Sequence, residues 1–281
     1  GGNVRADAAG IIQNNNTLPS DIVSIASQSA GNGGEIEIIA AGGIETIAGI
    51  SSASRQFPDE ENTTTTAQGR GNSIFLQASD GAIVIGDDTD LDNNEYGNIL
   101  SSGPAGGGDI CLTAGVSAGN NGCAGEGGFF RNLIVSPTAT DAFVVVNDIT
   151  SEITAVSDFE KAGRISIAAR NQITTTGDLE SDSRGGAGFD TSGDITLRSV
   201  DGRVDTTRGS LNSSTGSGDA GDINLTAARE IAIGDISSSS SGAEGNSDTI
   251  RIQSDESITL NRVQIRTTTS GSVVYNGDSD D

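Results

Sequence analysis

The densest run of oxygen donors in the chain is Asp87-Asp-Thr-Asp-Leu-Asp-Asn-Asn-Glu-Tyr-Gly97. Asp88, Asp90 and Asp92 alternate with other residues, and Asn94 and Glu95 follow. A hard cation such as calcium takes about six to eight oxygen ligands from a flexible loop, and this spacing can supply most of them. Asn93 stands where such loops carry Gly for the turn. Asn tolerates the left-handed conformation, so the loop keeps its promise in weakened form. Calcium at Asp88, Asp90, Asp92, Asn94 and Glu95 is the expectation; a solvated acidic loop is the plain alternative.

Other chemistry is poorly supplied. The chain has no His, and Lys161 is its only lysine, so Ser-His and Cys-His hydrolysis are excluded. A mechanism using carboxylates and arginine stays open. The acids, however, recur in Gly-Asp pairs at Asp109, Asp194 and Asp222, where Asp is expected for turn reasons. A non-enzymatic protein is therefore expected. With 2 Tyr, 7 Phe and no Trp there is no aromatic platform for sugars, although a shallow polar groove could still hold a glycan. Gly106 to Gly108 and Gly185-Gly186 lack the strand-to-helix setting and partner Lys of a phosphate cradle.

Formal net charge is −24, which makes nucleic acid and anionic membrane surfaces poor partners and divalent cations better ones. No apolar run approaches the length of a membrane-spanning helix, and no basic-then-apolar signal peptide precedes the repeats. The start on Gly1-Gly2 reads as a processed or excised piece. Cys111 and Cys123 are the only cysteines and could close a loop in an oxidising compartment. Two unpaired small core residues are the alternative.

The elements that must position these groups are short strands. Gly221-Asp-Ile-Asn-Leu-Thr-Ala, then Ile231-Ala-Ile, then Ile236-Ser-Ser, alternate apolar and polar with period two. The template recurs along the whole chain. First-strand anchors fall at Val4, Ile36, Ile74, Ile110, Ile165, Ile195, Ile223 and Ile250, with a basic unit of about 28 residues, as from Ile195 to Ile223. Second-strand anchors are Ile12, Ile44, Ile83, Ile173, Val204, Ile231 and Ile258, with Phe143 to Val146 serving the fourth unit. Third-strand anchors are Ile22, Ile50, Ile99, Ile149, Leu179, Leu211, Ile236 and Ile265, commonly trailed by Ser or Thr.

Strands this short cannot bury an apolar face alone, and no helical period covers them, so the units must stack. The expectation is one all-β domain over residues 1–281, with three short strands per coil and about eight coils. Equivalent strands would lie parallel about 4.8 Å apart, making a rod on the order of 40 Å. Gly at the corners should permit the bends, and Ser, Thr and Asn there should satisfy local backbone groups. Insertions should leave from corners, at about 57–68, 87–97 and 114–141. The last should pack on the rod as a satellite cluster, through Phe129, Phe130 and Leu133 to Val135.

Gly221-Asp-Ile-Asn-Leu-Thr-Ala, Gly193-Asp-Ile-Thr-Leu-Arg-Ser and Gly163-Arg-Ile-Ser-Ile-Ala-Ala resemble the repeats of bacterial filamentous-haemagglutinin-like exoproteins of the two-partner-secretion type, especially cyanobacterial ones. The likeness runs over nearly the whole chain. It implies a single right-handed parallel β-helix (β-solenoid) on an extracellular or bacterial cell-surface protein. The Asn-Pro-Asn-Gly type motif of the family's secretion module is not in the sequence, so export by that route is implied by kinship alone.

The expected function is structural: a subunit or segment of a filament or adhesin. Val4 joins the repeat at once, and Gly271 to Tyr275 fits the first strand of an unfinished ninth coil. Open ends would then stack head to tail on a second copy, unless the chain is cut from a longer solenoid. The runner-up is a polysaccharide-binding or polysaccharide-cleaving β-helix. Convergence of Asp and Arg side chains in one groove would discriminate it.

Overall fold

The computed structural model describes residues 2–10, 12–14, 25–29, 32–46, 49–54, 69–86, 97–117, 134–153, 162–183, 191–216, 218–241, 245–260, 265–267 and 273–276. Among these residues the chain is all-β, with no helix. The first strands form one parallel sheet of nine, in the order in which they occur along the chain, from Val4–Ala8 to Val273–Asn276. Register is anchor to anchor throughout: Ile74 faces Ile110, Ile110 faces Ile165, Ile165 faces Ile195, and Ile195 faces Ile223. Each turn of the chain therefore lies on the one before it.

Second and third strands make two further parallel ladders. They are joined into one sheet because Val204–Thr215 and Ile231–Ser240 each run through both positions without a break. The third-strand ladder begins at Ile25, which faces Ile50; Ile22, the expected anchor, lies outside the described residues. Ile36, Ile74, Ile110, Ile165, Ile195, Ile223 and Ile250 form one interior column with no solvent exposure. Side chains from all three ladders meet in a single apolar cluster. Its Ile, Val, Leu and Ala are small enough for narrow coils, each burying its methyls against the rung above and below.

The third strand carries a second interior column, and it is polar. Ser52, Ser101, Ser151, Ser181, Ser213 and Ser238 are all fully buried. Each hydroxyl joins two coils at the corner between third and first strands. Ser181 Oγ donates to Gly163 O (3.0 Å) and accepts from Gly193 N–H (2.7 Å). Ser151 does the same between Gly108 O and Gly163 N–H, and Ser213 between Gly193 O and Gly221 N–H. These corner groups point inward, away from any strand partner, so an unmatched one would carry the full cost of a buried orphan.

The glycines bonded in this way are needed for room. A Cβ at Gly193 would stand 2.4 Å from Gly163 O, and one at Gly221 would stand 2.4 Å from Gly193 O. The expectation that corner glycines serve bending holds among the described residues only where φ is positive, at Gly86, Gly97, Gly106 and Gly115.

Replacing Ser181 by Ala should therefore cost about 1–3 kcal/mol, because Gly193 N–H and Gly163 C=O lose their shared partner. Ser183, also buried, makes no hydrogen bond through its side-chain oxygen. Ser183→Ala should leave stability unchanged or raise it. Urea unfolding of the two variants beside the parent protein measures the difference.

Candidate functional site

The corner where third strand passes to first strand is also where the chain's polar side chains gather. Counting back from each first-strand anchor, the residue one place before it forms a column of Asn3, Glu35, Ser73, Asp109, Arg164, Asp194, Asp222 and Thr249. Its carboxylates reach to the next coil. Asp109 Oδ1 accepts from Arg164 N–H (2.9 Å), Asp194 Oδ1 from Asp222 N–H (3.0 Å), and Asp222 Oδ1 from Thr249 N–H (2.8 Å). The Gly-Asp pairs, expected as local turns, are inter-coil bridges.

Across coils two to five this edge is hollowed into a groove of about 400 Å³. Gly107, Gly108 and Gly163 contribute backbone without side chains, while Arg70 and Arg164 line it from rungs two apart, roughly 10 Å along the ladder. Arg70 Nε donates to Ala105 O (2.7 Å), which fixes the guanidinium against the groove wall. Arg164 grips Asp109 with two prongs, Nη2 to Oδ2 at 2.7 Å and Nε to Oδ1 at 3.4 Å. Both oxygens of Asp109 are thereby engaged by Arg164. Asn32, Asn72 and Ser73 complete the polar lining.

Asp and Arg side chains do converge in one groove, and the chemistry they present there is hydrogen-bond donation. Arg70 and Arg164 were not recognisable as neighbours in sequence, being 94 positions apart by number. Counting from the anchors Ile74 and Ile165 would have placed both on this edge.

The end of the long insertion returns to the coils, while Phe129, Phe130 and Leu133, expected to carry a satellite cluster, lie outside the described residues. Ile134–Val135 pairs antiparallel with Val116–Ser117, and Val116, Ala168, Val135 and Val200 pack together. Ile134, however, is 64% exposed, so the contribution expected of it to the cluster goes to its neighbour. Asp80 holds this segment by accepting from Ser136 Oγ (2.6 Å) and Thr138 Oγ1 (2.5 Å), and these bonds lower its pKa. On the other side Arg170 donates to Ser136 O (2.6 Å) and pairs with Asp201 (3.0 Å).

Cys111, on the outward face of the strand that starts this insertion, is buried and disulfide-bonded. Cys123 lies outside the described residues, as do Asp88, Asp90, Asp92, Asn94 and Glu95 of the acidic loop. Among the described residues no three acidic, His or Cys side chains are grouped so as to hold a metal ion.

Two positions break the glycine column that faces the buried serines: Asn72 and Asp248. Asp248 comes close to Asp222 and Asp194. Burial raises its pKa above the ordinary aspartate value of 3.8, the charge of Asp222 and a side-chain hydrogen bond with it raise it further, and Asp194 adds to this. Asp148 is raised too, by burial first and by the charge of Asp178.

No family model matches the chain, and neither a curated protein nor a solved structure is significantly similar to it.

Asp248 and Asp148 make the folded state bind protons more tightly than the unfolded chain does. Their contribution to stability is complete below the ordinary value of 3.8 and is lost as pH rises through the raised folded values. Asp248→Asn removes one of these titrations without changing the shape of the side chain. The variant should melt higher than the parent at pH 7, with the advantage shrinking as pH falls toward 4. Thermal melts across that range check the sign.

Proposed function

We propose that the chain is a right-handed parallel β-helix acting as a structural, non-enzymatic segment or subunit of an extracellular or bacterial cell-surface filament or adhesin, of the filamentous-haemagglutinin-like type. The observation that carries this reading is the unbroken parallel register of the first-strand ladder, in which Val4 faces Ile36 at one end and Val273 faces Ile250 at the other. Such a ladder gives stiffness and length at small cost in sequence, since every rung reuses the same interior.

A disulfide at Cys111 suits an oxidising compartment. The acidic surface keeps neighbouring rods apart by charge repulsion. Strands Val4–Ala8 and Val273–Asn276 each have one ladder partner among the described residues, so a further coil can add to either by the same hydrogen bonds. A second copy stacked head to tail would propagate as a filament.

Negative-stain microscopy, with analytical ultracentrifugation over a range of concentrations, tests the assembly. Rods that lengthen with concentration support head-to-tail stacking. Rods of constant length, sedimenting as monomers across salt and calcium conditions, leave a stiff segment that does not self-stack. Round particles would defeat the β-helix reading.

Calcium at Asp88, Asp90, Asp92, Asn94 and Glu95 remains a proposal resting on donor spacing. Titration calorimetry should show binding heat in the parent protein that is lost in an Asp90→Ala, Asp92→Ala variant. Equal heats in the two place any calcium elsewhere.

A further inference from the structure

We infer that Asp222 and Asp248 form a pH-sensitive latch between the seventh and eighth coils, a carboxyl pair that holds the corner while it keeps a proton and loosens it when both groups are charged. The inference needs only the ladder, and stands apart from the filament or adhesin role proposed above.

The corner geometry comes first. At the position two before each first-strand anchor, the N–H groups of Gly108, Gly163, Gly193 and Gly221 donate to the buried serines at 2.7, 2.8, 2.7 and 2.8 Å. A side chain is crowded there, since a Cβ at Gly221 would stand 2.4 Å from Gly193 O. Asn72 and Asp248 occupy this position in coils three and eight, and their bonds to serine lengthen to 3.0 and 3.2 Å. The corners that carry a side chain are the looser ones.

Asn72 compensates in a way that Asp248 cannot. Its side chain turns back on its own strand, where Oδ1 accepts from Ser73 N–H at 2.8 Å. The equivalent donor in coil eight, Thr249 N–H, is already engaged by Asp222 Oδ1 from the coil beneath, also at 2.8 Å. Asp248 shares that one N–H with Asp222, and the two carboxyl groups come within side-chain hydrogen-bonding reach of each other. Two ionised carboxylates have no hydrogen to share. A bond between them requires a proton, with the Asp248 carboxyl donating and the Asp222 carboxylate accepting.

The surroundings favour keeping that proton. Asp194 of coil six lies on the same edge, its Oδ1 accepting from Asp222 N–H at 3.0 Å, and adds a further negative charge. Asp219 of coil seven is turned to Asn246, accepting from its N–H and Nδ2. Strand Ile231–Ser240 meets Asp248 through the Ser238 hydroxyl, and Arg251 lies exposed on the outward face beyond Thr249. Among the described residues no cation offsets Asp248: burial, the charge of Asp222, the hydrogen bond with it and the charge of Asp194 raise its pKa, in that order, and only the shared Thr249 N–H lowers it. Its outer side is open to solvent, so the proton exchanges with the medium and water screens the effect to this corner.

The sign follows from the raised pKa. The folded corner holds the proton more tightly than the unfolded chain does, so the latch is complete below the ordinary aspartate value of 3.8 and is lost as pH rises through the raised value. Ionisation sets two neighbouring carboxylates against each other where the bond to serine is already long. Coil eight then opens locally, and strand Val273–Asn276, which pairs on Ile250–Ser254, loosens with it.

Hydrogen exchange by mass spectrometry on the full chain, corrected for the intrinsic pH dependence of exchange, reads this opening. In the parent, the amides of residues 245–254 should be several-fold better protected at about pH 4 than at about pH 7, while those of 162–169 in coil five change less. Asp248→Asn cannot ionise and keeps a donor for Asp222, so it should hold the acid-state protection at both pH values. Asp248→Gly restores the glycine of the other coils and should lose the pH dependence too; it serves where the amide variant fails to fold. Glu256→Gln, exposed in the same coil, removes an equal charge and should keep the dependence of the parent.

Equal coil-eight protection at the two pH values in the parent overturns the latch. Dependence that survives in folded Asp248→Asn or Asp248→Gly overturns the pair. Dependence lost in Glu256→Gln as well overturns it in favour of general charge relief. Rod length under the microscope tests the filament reading separately from all three results.

Discussion

A seryl hydroxyl buried in each of coils two to seven is what allows the corner to close. Where the third strand turns into the first, the backbone points one carbonyl and one N–H into the interior, where neither water nor a strand partner reaches them. Ser52, Ser101, Ser151, Ser181, Ser213 and Ser238 each serve two such groups from successive turns of the chain. The glycines they bond have no room for a side chain because the coil beneath is already in contact. Serine and glycine at this corner are one constraint, and the spacing of the coils follows from it.

The acidic surface answers to the same stacking. Identical positions of successive coils lie about 4.8 Å apart, close enough for like charges to repel strongly. Asp109 meets Arg164 and is neutralised, while Asp194 and Asp222 spend an oxygen each on the N–H of the next rung. At Asp248 burial first, and then the charges of Asp222 and Asp194 at the same edge, raise the pKa. The ladder thus turns a surface net charge into specific local bonds over most of its length, at the expense of tension at one end.

Whatever does not repeat is carried outside the ladders. The chain between the strands Ile110–Ala114 and Val144–Val146 leaves and rejoins at the corner between first and second strands, and its return is held by Asp80 from the third coil and Arg170 from the fifth. The groove arises in a related way, where coil four offers Gly107, Gly108 and Asp109 between the arginines of coils three and five. Rigid strands give a scaffold on which loops and grooves can vary while the interior stays the same.

The sequence by itself determined the repeat, and with it most of the fold. Isoleucine every two positions, returning near every 28 residues, leaves short strands no way to bury themselves except on their equivalents, so anchors such as Ile74, Ile110 and Ile165 were legible as facing one another. It also showed which chemistries lack their residues, because His and Lys can be counted. Tertiary structure decided what depends on contacts between coils. Ser181 looks in sequence like any polar residue after Leu179, and only stacking reveals it as buried and bonded twice. Gly193 reads as a turn residue until the backbone of Gly163 is found beneath it. Arg70, Asp109 and Arg164 share a groove because insertions of unequal length separate them along the chain while the ladder restores them to neighbouring rungs. Periodicity fixes which residues align; the distance between aligned rungs fixes which of them touch.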